Sequence, residues 1–237
     1  MKIITPFLTA LSFLTIIKVN LKNYDTKRAV FYFPIVGLII SIIPFLILKS
    51  ELFMKEYLAL ISTILLTGAL HIDGLSDTAD ALFSHRTTEE KLIIMKDSRI
   101  GVMGAISVFL LLIIKVELFK YIDPITVILA ISASRIPPFF IMKHLPYLRE
   151  KGTGGFFNNL NYRNIDLPFL FLPLLLALFL NIKYAILLIG VIFFIVISYL
   201  ILLKKHLGGW TGDTIGFLIE LGEVIILYIL NFVVIFD

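Results

Sequence analysis

The chain has 237 residues, 59% of them hydrophobic and only 16% charged, with a mean hydropathy of +1.00. A soluble domain carries about 25% charged residues, so a soluble enzyme is excluded. The net charge of +4 is spread over loops between apolar segments, which argues against a nucleic-acid-binding module. Cysteine is absent, which removes disulfides and thiolate metal sites and leaves oxygen or imidazole ligands for any metal.

The chain opens with an apolar stretch, residues 1–19, that has Lys2 as its only early charge and no small-residue cleavage site before Lys18. It reads as retained rather than as a signal peptide. Pro6 and the polar Thr5, Thr9, Ser12 and Thr15 suit an interfacial or re-entrant helix better than a lipid-facing span. Seven further segments approach the ~20 apolar residues a membrane helix needs. They run roughly from Ala29 to Leu48, Glu56 to Leu70, Gly101 to Phe119, Pro124 to Met142, Leu167 to Leu180, Tyr184 to Leu203 and Thr214 to Phe236. No internal repeat or linker divides them. The predicted fold is an all-α, polytopic membrane bundle of about seven spans plus the N-terminal helix, a single domain over residues 1–237.

With the spans alternating, 15 of the 21 Lys and Arg fall in the loops 1–28, 71–99, 143–166 and 204–213. The opposite loops, residues 49–55, 115–123 and 181–183 with the C-terminus, hold 5, Lys115 among them, and Arg135 lies inside a span. Cytoplasmic loops carry the basic excess, so this set, and every polar motif within it, is expected on the cytoplasmic side of a cell membrane.

Polar residues gather at four places. His71-Ile-Asp-Gly-Leu-Ser-Asp-Thr-Ala-Asp80 follows an apolar run, and as a helix it sets Asp73, Asp77 and Asp80 on one face. Like charges so spaced repel unless something positive sits among them, whether a divalent cation, Arg or Lys, or a helix dipole. Asp97-Ser98-Arg99 precedes the next span and reads either as a capped helix start with a snorkelling Arg or as a metal and phosphate contact. Arg135 lies deep in an apolar segment, ahead of Pro137-Pro138. A charge there costs roughly 2.5–3.5 kcal/mol on insertion scales, so it pairs with an internal acid or holds phosphate oxygens. Arg149 to Asn159 is basic and glycine-rich, either an ordinary loop or a phosphate cradle. Finally, Asp213 and Glu220 share a face of the last span, beside Gly212 and Gly216. Together these features point to Mg²⁺ shared between carboxylates and a phosphorylated substrate, with cation or proton transport as the alternative.

Three motifs in order, His71 to Asp80, Met95-Lys-Asp-Ser-Arg-Ile-Gly101 and Gly208-Gly-Trp-Thr-Gly-Asp213, with the earlier Phe33-Pro-Ile-Val-Gly37, resemble the cobalamin synthase family, the adenosylcobinamide-GDP ribazoletransferases. Ser76 stands where Ala is more usual, and Trp210 where a small or β-branched residue is; neither position is charged. The resemblance implies joining of adenosylcobinamide-GDP to α-ribazole or its 5′-phosphate, with release of GMP and a Mg²⁺ requirement. It further implies metal binding by Asp73, Asp77, Asp80, Asp213 and Glu220, and catalysis by Asp80 or Asp97 as base with Arg99 and Arg135 on phosphate. His71, Lys96, Lys151, Gly154, Gly155 and Thr211 would contact substrate. The expected partners are these substrates and the bilayer, without nucleic acid; homo-oligomerisation is left open. A CDP-alcohol phosphotransferase also displaces a nucleotide with membrane-helix aspartates. Its pattern wants Ala-Arg after Asp-Gly, where this chain has Leu75-Ser76-Asp77.

Overall fold

The structure is a computed structural model that describes residues 3–149, 155, 157, 160–161 and 163–236, with the side chains of 232–236 left aside. Thirteen α-helices are found among the described residues, and the only β-type pairing there is an isolated bridge between Tyr147 and Trp210. Helix α1 is Ile4–Leu14. Helix α2, Thr26–Ala29, continues through a 3-10 turn into α3, Phe33–Lys49. Pro34 sits in the first turn of α3, where its missing N–H leaves no helical bond unmade.

The break before the acidic helix has a local cause. Helix α4, Lys55–Thr67, ends with Gly68 N–H on the Leu65 carbonyl and Ala69 N–H on the Ile64 carbonyl, the Schellman pattern. Gly68 and Ala69 both adopt left-handed backbone, at φ 61° and 57°. Two such residues in succession turn the chain by 88° into α5, Leu70–Phe83. The expected span from Glu56 to Leu70 therefore ends at Thr67, and the aspartates begin a new helix.

Helix α6, Thr88–Ile94, starts with a Thr87–Glu90 capping box. It leads to α7, Val102–Tyr121. Helices α8, Pro124–Ala133, and α9, Pro137–His144, are parted at Ser134–Ile136 ahead of the two prolines. The expected span from Leu167 to Leu180 divides into α10, Leu167–Leu170, and α11, Leu172–Leu180, with Pro173 in the first turn of α11. Helices α12, Ile182–His206, and α13, Gly212–Phe236, are each 25 residues long. Among the described residues four helical stretches are long and apolar enough to cross a membrane: Thr26–Lys49, Val102–Tyr121, Pro124–His144 and Ile182–His206. The bent α4–α5 pair makes a fifth if it counts as one broken span. The chain is a multi-pass helical membrane protein. Exposed Phe193, Phe194 and Ile201 on α12 are at home against lipid rather than water.

Packing centres on two close pairs, α5 with α13 and α3 with α8. A Cβ on Gly37 of α3 would lie 2.8 Å from the Ile131 carbonyl oxygen and 2.8 Å from Ser132 Cα, so these backbones touch. One charged tie secures the N-terminal region. Asp166, fully buried, accepts from Arg28 Nε at 2.8 Å, Arg28 Nη2 at 2.5 Å, Tyr32 Oη at 2.6 Å and the Arg163 amide at 2.8 Å. Burial pushes this carboxyl up, but the bonds from Arg28, Tyr32 and Arg163 outweigh it and hold it below the usual carboxylate range.

Gly37→Ala should lower stability by about 1–3 kcal/mol through overpacking against α8, read as a lower thermal midpoint in detergent. Gly190→Ala is the control: a Cβ there meets nothing within 4 Å, so the midpoint should hold or rise, by about 0.5–1 kcal/mol.

Candidate active site

Helix α5 carries the acidic face. Asp73 is exposed, while Asp77 and Asp80 are half-buried at successive turns of that face. The opposite side, with His71, Gly74, Leu75 and Thr78, is buried. This burial is what lets a helix with three like charges persist. Glycines bring α13 against it: a Cβ on Gly74 would stand 2.7 Å from the Asp213 carbonyl oxygen, and one on Gly216 3.0 Å from the His71 carbonyl oxygen. The first turn of α13 thus delivers Asp213 to the aspartates of α5. Asp77 feels the Asp213, Asp73 and Asp80 carboxylates, and Arg149 opposes them. Arg149 donates to Asp213 and, at 3.0 Å, to the Met95 carbonyl.

Asp80 has a defined structural task. Its two carboxylate oxygens accept the Gly101 and Gly104 amides, each at 2.8 Å. Gly101 has no side chain to cap α7, so Asp80 supplies that cap and meets the positive end of the helix dipole. A Cβ on Gly101 or Gly104 would collide with this carboxylate, which accounts for glycine at both positions. Asp97 and Arg99 form a local pair near solvent, with Arg99 Nη2 on Asp97 Oδ2 at 2.5 Å. The Arg99 guanidinium holds the Asp97 carboxyl down, at about 2. Lys96 is exposed beside them.

Thr211 caps α13: its Oγ1 accepts the Thr214 amide at 3.2 Å, and Thr214 Oγ1 accepts the Thr211 amide at 2.9 Å. Gly155 lies against Tyr147, where a Cβ would be 3.1 Å from the ring. Lys151 and Gly154 fall outside the described residues.

Arg135 and Glu220 lie elsewhere, in a buried network whose other members, Lys115 and Glu223, no motif had marked. Lys115 donates to Glu220 and, at 2.6 Å, to Glu223. Arg135 donates to Glu223, to Ser134 Oγ at 2.8 Å and to the Ile131 carbonyl at 2.5 Å. All four side chains are almost completely buried. Two cations and two anions cancel here, which is the form in which charge persists in an apolar interior. Lys115, assigned above to a loop, is buried within α7.

Among the described residues, no three His, Asp or Glu side chains converge closely enough to hold a metal ion on protein ligands alone. Mg²⁺ is usually bound through one or two carboxylates plus substrate phosphates. The oxygen-only cluster of exposed Asp73 with half-buried Asp77 and Asp213, and one opposing Arg149, fits a cation shared in that way.

A family model described as cobalamin-5-phosphate synthase matches residues 6–231. Curated relatives named adenosylcobinamide-GDP ribazoletransferase include one from Alkaliphilus oremlandii, 34% identical, with 90% of this chain and 92% of the relative covered. Another, from Clostridium botulinum strain 657, is 35% identical over 96% of this chain and 98% of its own length. One from Acinetobacter baumannii is 32% identical over 94% and 96%. No solved structure matches the chain.

Lys115→Met should cost about 3–5 kcal/mol, because it strands two buried carboxylates. The double change Lys115→Met with Glu220→Gln should recover much of the loss, and thermal midpoints in detergent read both. An unchanged midpoint for the single variant would refute the network.

Proposed function

Because the chain belongs to the cobalamin-5-phosphate synthase family, we propose that it joins adenosylcobinamide-GDP to α-ribazole or α-ribazole 5′-phosphate in cobalamin synthesis. The observation that carries the reading to a site is the acidic face of α5 meeting Asp213, in a chain aligned nearly end to end with relatives named for this transfer.

In this reading a ribose hydroxyl attacks the phosphorus that bears the corrinoid alcohol. The bond from that phosphorus to the bridging oxygen breaks, and GMP leaves with the electron pair. One or two of Asp73, Asp77 and Asp213, together with substrate phosphate, would hold Mg²⁺, which when bound offsets negative charge on the diphosphate oxygens. The hydroxyl proton passes to a carboxylate. Asp97, held at about 2 by Arg99, is too weak a base at neutral pH for this task. Asp80 keeps a lone pair on each oxygen beyond its bonds to Gly101 and Gly104 and stands as the base. Arg99, with its side chain 87% exposed, is within reach of an incoming phosphate. Arg135 acts from a distance, by fixing α8 against α13 through Glu223. The Lys and Arg split supports a cytoplasmic position for this face, at the cell membrane.

The test is GMP release together with formation of a complete corrinoid, by purified protein in lipid given adenosylcobinamide-GDP, α-ribazole phosphate and Mg²⁺. Asp77→Asn should lower turnover by roughly 10²–10³-fold with the thermal midpoint unchanged, and EDTA should abolish it. CMP released from a CDP-lipid, with no corrinoid product, would replace this reading with the CDP-alcohol one.

A further inference from the structure

Beside the acidic face lies a cavity of about 80 Å³ whose lining includes residues of α1, α5, α9 and α13. Four aromatic rings, Phe13, Tyr147, Phe157 and Trp210, form part of its walls. Tyr147 and Trp210 stand with ring centroids 4.8 Å apart, and Phe13 and Phe157 at 4.6 Å. Gly212 and Gly216 form a stretch of wall with no side chain.

Two buried polar side chains line this cavity without a hydrogen-bond partner. His71 is 3% exposed with neither ring nitrogen bonded, and Trp210 is 1% exposed with Nε1 unbonded. Arg149 Nε, also in the lining, is unbonded too. A buried donor left unsatisfied costs about 1–3 kcal/mol, and such groups are few in native proteins. Three around one cavity mark the place of a missing partner. Water could satisfy the donors but would gain nothing from the aromatic walls.

We propose that this cavity receives the aromatic base of the ribazole substrate, edge first, with its ring nitrogen accepting from Trp210 Nε1. The assignment rests on the transferase reading above. Trp Nε1–H donates only, so the ligand must present an acceptor, and apolar walls ask for a base with few other polar atoms. A benzimidazole-type base glycosylated at one nitrogen has one free ring nitrogen and otherwise apolar edges. Guanine, the other aromatic base in the reaction, presents two acceptors and an amino donor along its edges, and the GMP arm of the titration below separates the two bases. An apolar cavity of about 150 Å³ holds benzene, so 80 Å³ takes the edge of a bicyclic ring and leaves the sugar at the mouth. Arg149 and Asp213 stand there, with side chains 16% and 18% exposed. The ribose hydroxyls are then directed toward the Asp73, Asp77 and Asp213 face.

Trp210 is the only tryptophan in the chain, so its fluorescence reports the cavity directly. The full-length protein in lipid, without metal or corrinoid, would be titrated with α-ribazole, GMP and ribose 5-phosphate. A saturable change in Trp210 emission with α-ribazole alone is expected. Leu70 lines the cavity and is 47% exposed, so Leu70→Phe narrows it with little burden on folding. That variant should raise the KM for ribazole on the order of tenfold and leave the KM for adenosylcobinamide-GDP unchanged. A response to GMP, or to ribose 5-phosphate, equal to that of ribazole overturns the assignment. Turnover by the wild type with no Trp210 response to ribazole also overturns it and leaves the transferase reading standing. A saturable ribazole response in a protein that makes no corrinoid product supports the cavity and removes the transferase reading.

Discussion

The backbone contact between α5 and α13 sets the geometry of everything else at this face. Two glycines, Gly74 and Gly216, let the helices approach until a single added methyl group would collide with the partner backbone. Side chains of ordinary size would hold the axes apart, and Asp213 would no longer reach the aspartates of α5. The same approach positions His71 and the first turn of α13 along one cavity. Close packing of this kind is rigid, because an interior near crystal density transmits a displacement rather than absorbing it.

Around that contact the chain treats charge in two ways. Deep in the bundle, Lys115, Arg135, Glu220 and Glu223 neutralise one another and tie α7, α8 and α13 together. At the edge of α5, Asp80 also anchors the start of α7, with one amide bond to each oxygen. That gives one carboxylate of the acidic triad an anchoring role and binds the face to a third helix. The α5 face is therefore braced on both sides, by α13 through glycines and by α7 through a cap.

Sequence reading reached the acidic helix because its signal is local. Three aspartates at helical spacing share a face whatever the surrounding fold, and α5 presents them so. It also found that Arg135 and Glu220 are unusual charges in apolar segments, since the cost of burying them is a property of the residue. What it lacked was their partners. Glu223 lies 88 residues from Arg135, and Lys115 lies 105 from Glu220, and no spacing rule links such positions. From sequence, Lys115 reads as a loop residue because it stands near the end of an apolar run, where a snorkelling lysine is common. The break between α4 and α5 was missed for a related reason. Hydropathy continues unbroken through Gly68 and Ala69, and only their left-handed backbone reveals the turn. No single motif outlined the cavity: His71 and Trp210 lie in two of the motifs, while Phe13 and Tyr147 come from separate stretches outside them.

The contrast between the two charge sets also argues for where chemistry occurs. In the buried network each anion has its own cation within the protein, so nothing further is required and nothing charged can enter without breaking it. On the α5 face, Asp73, Asp77 and Asp213 face one Arg149, and that guanidinium is bonded to Asp213. A net negative surface remains, in a protein whose buried acids Asp166, Glu220 and Glu223 are each paired with a cation. Repulsion among these carboxylates is a cost the fold carries at rest and sheds when positive charge arrives. A polyphosphate substrate cannot approach such a face alone, since it would add to the repulsion. On the proposed reading it would approach together with a divalent cation, whose charge is attractive to both, and substrate and metal binding would then be mutually dependent at this site.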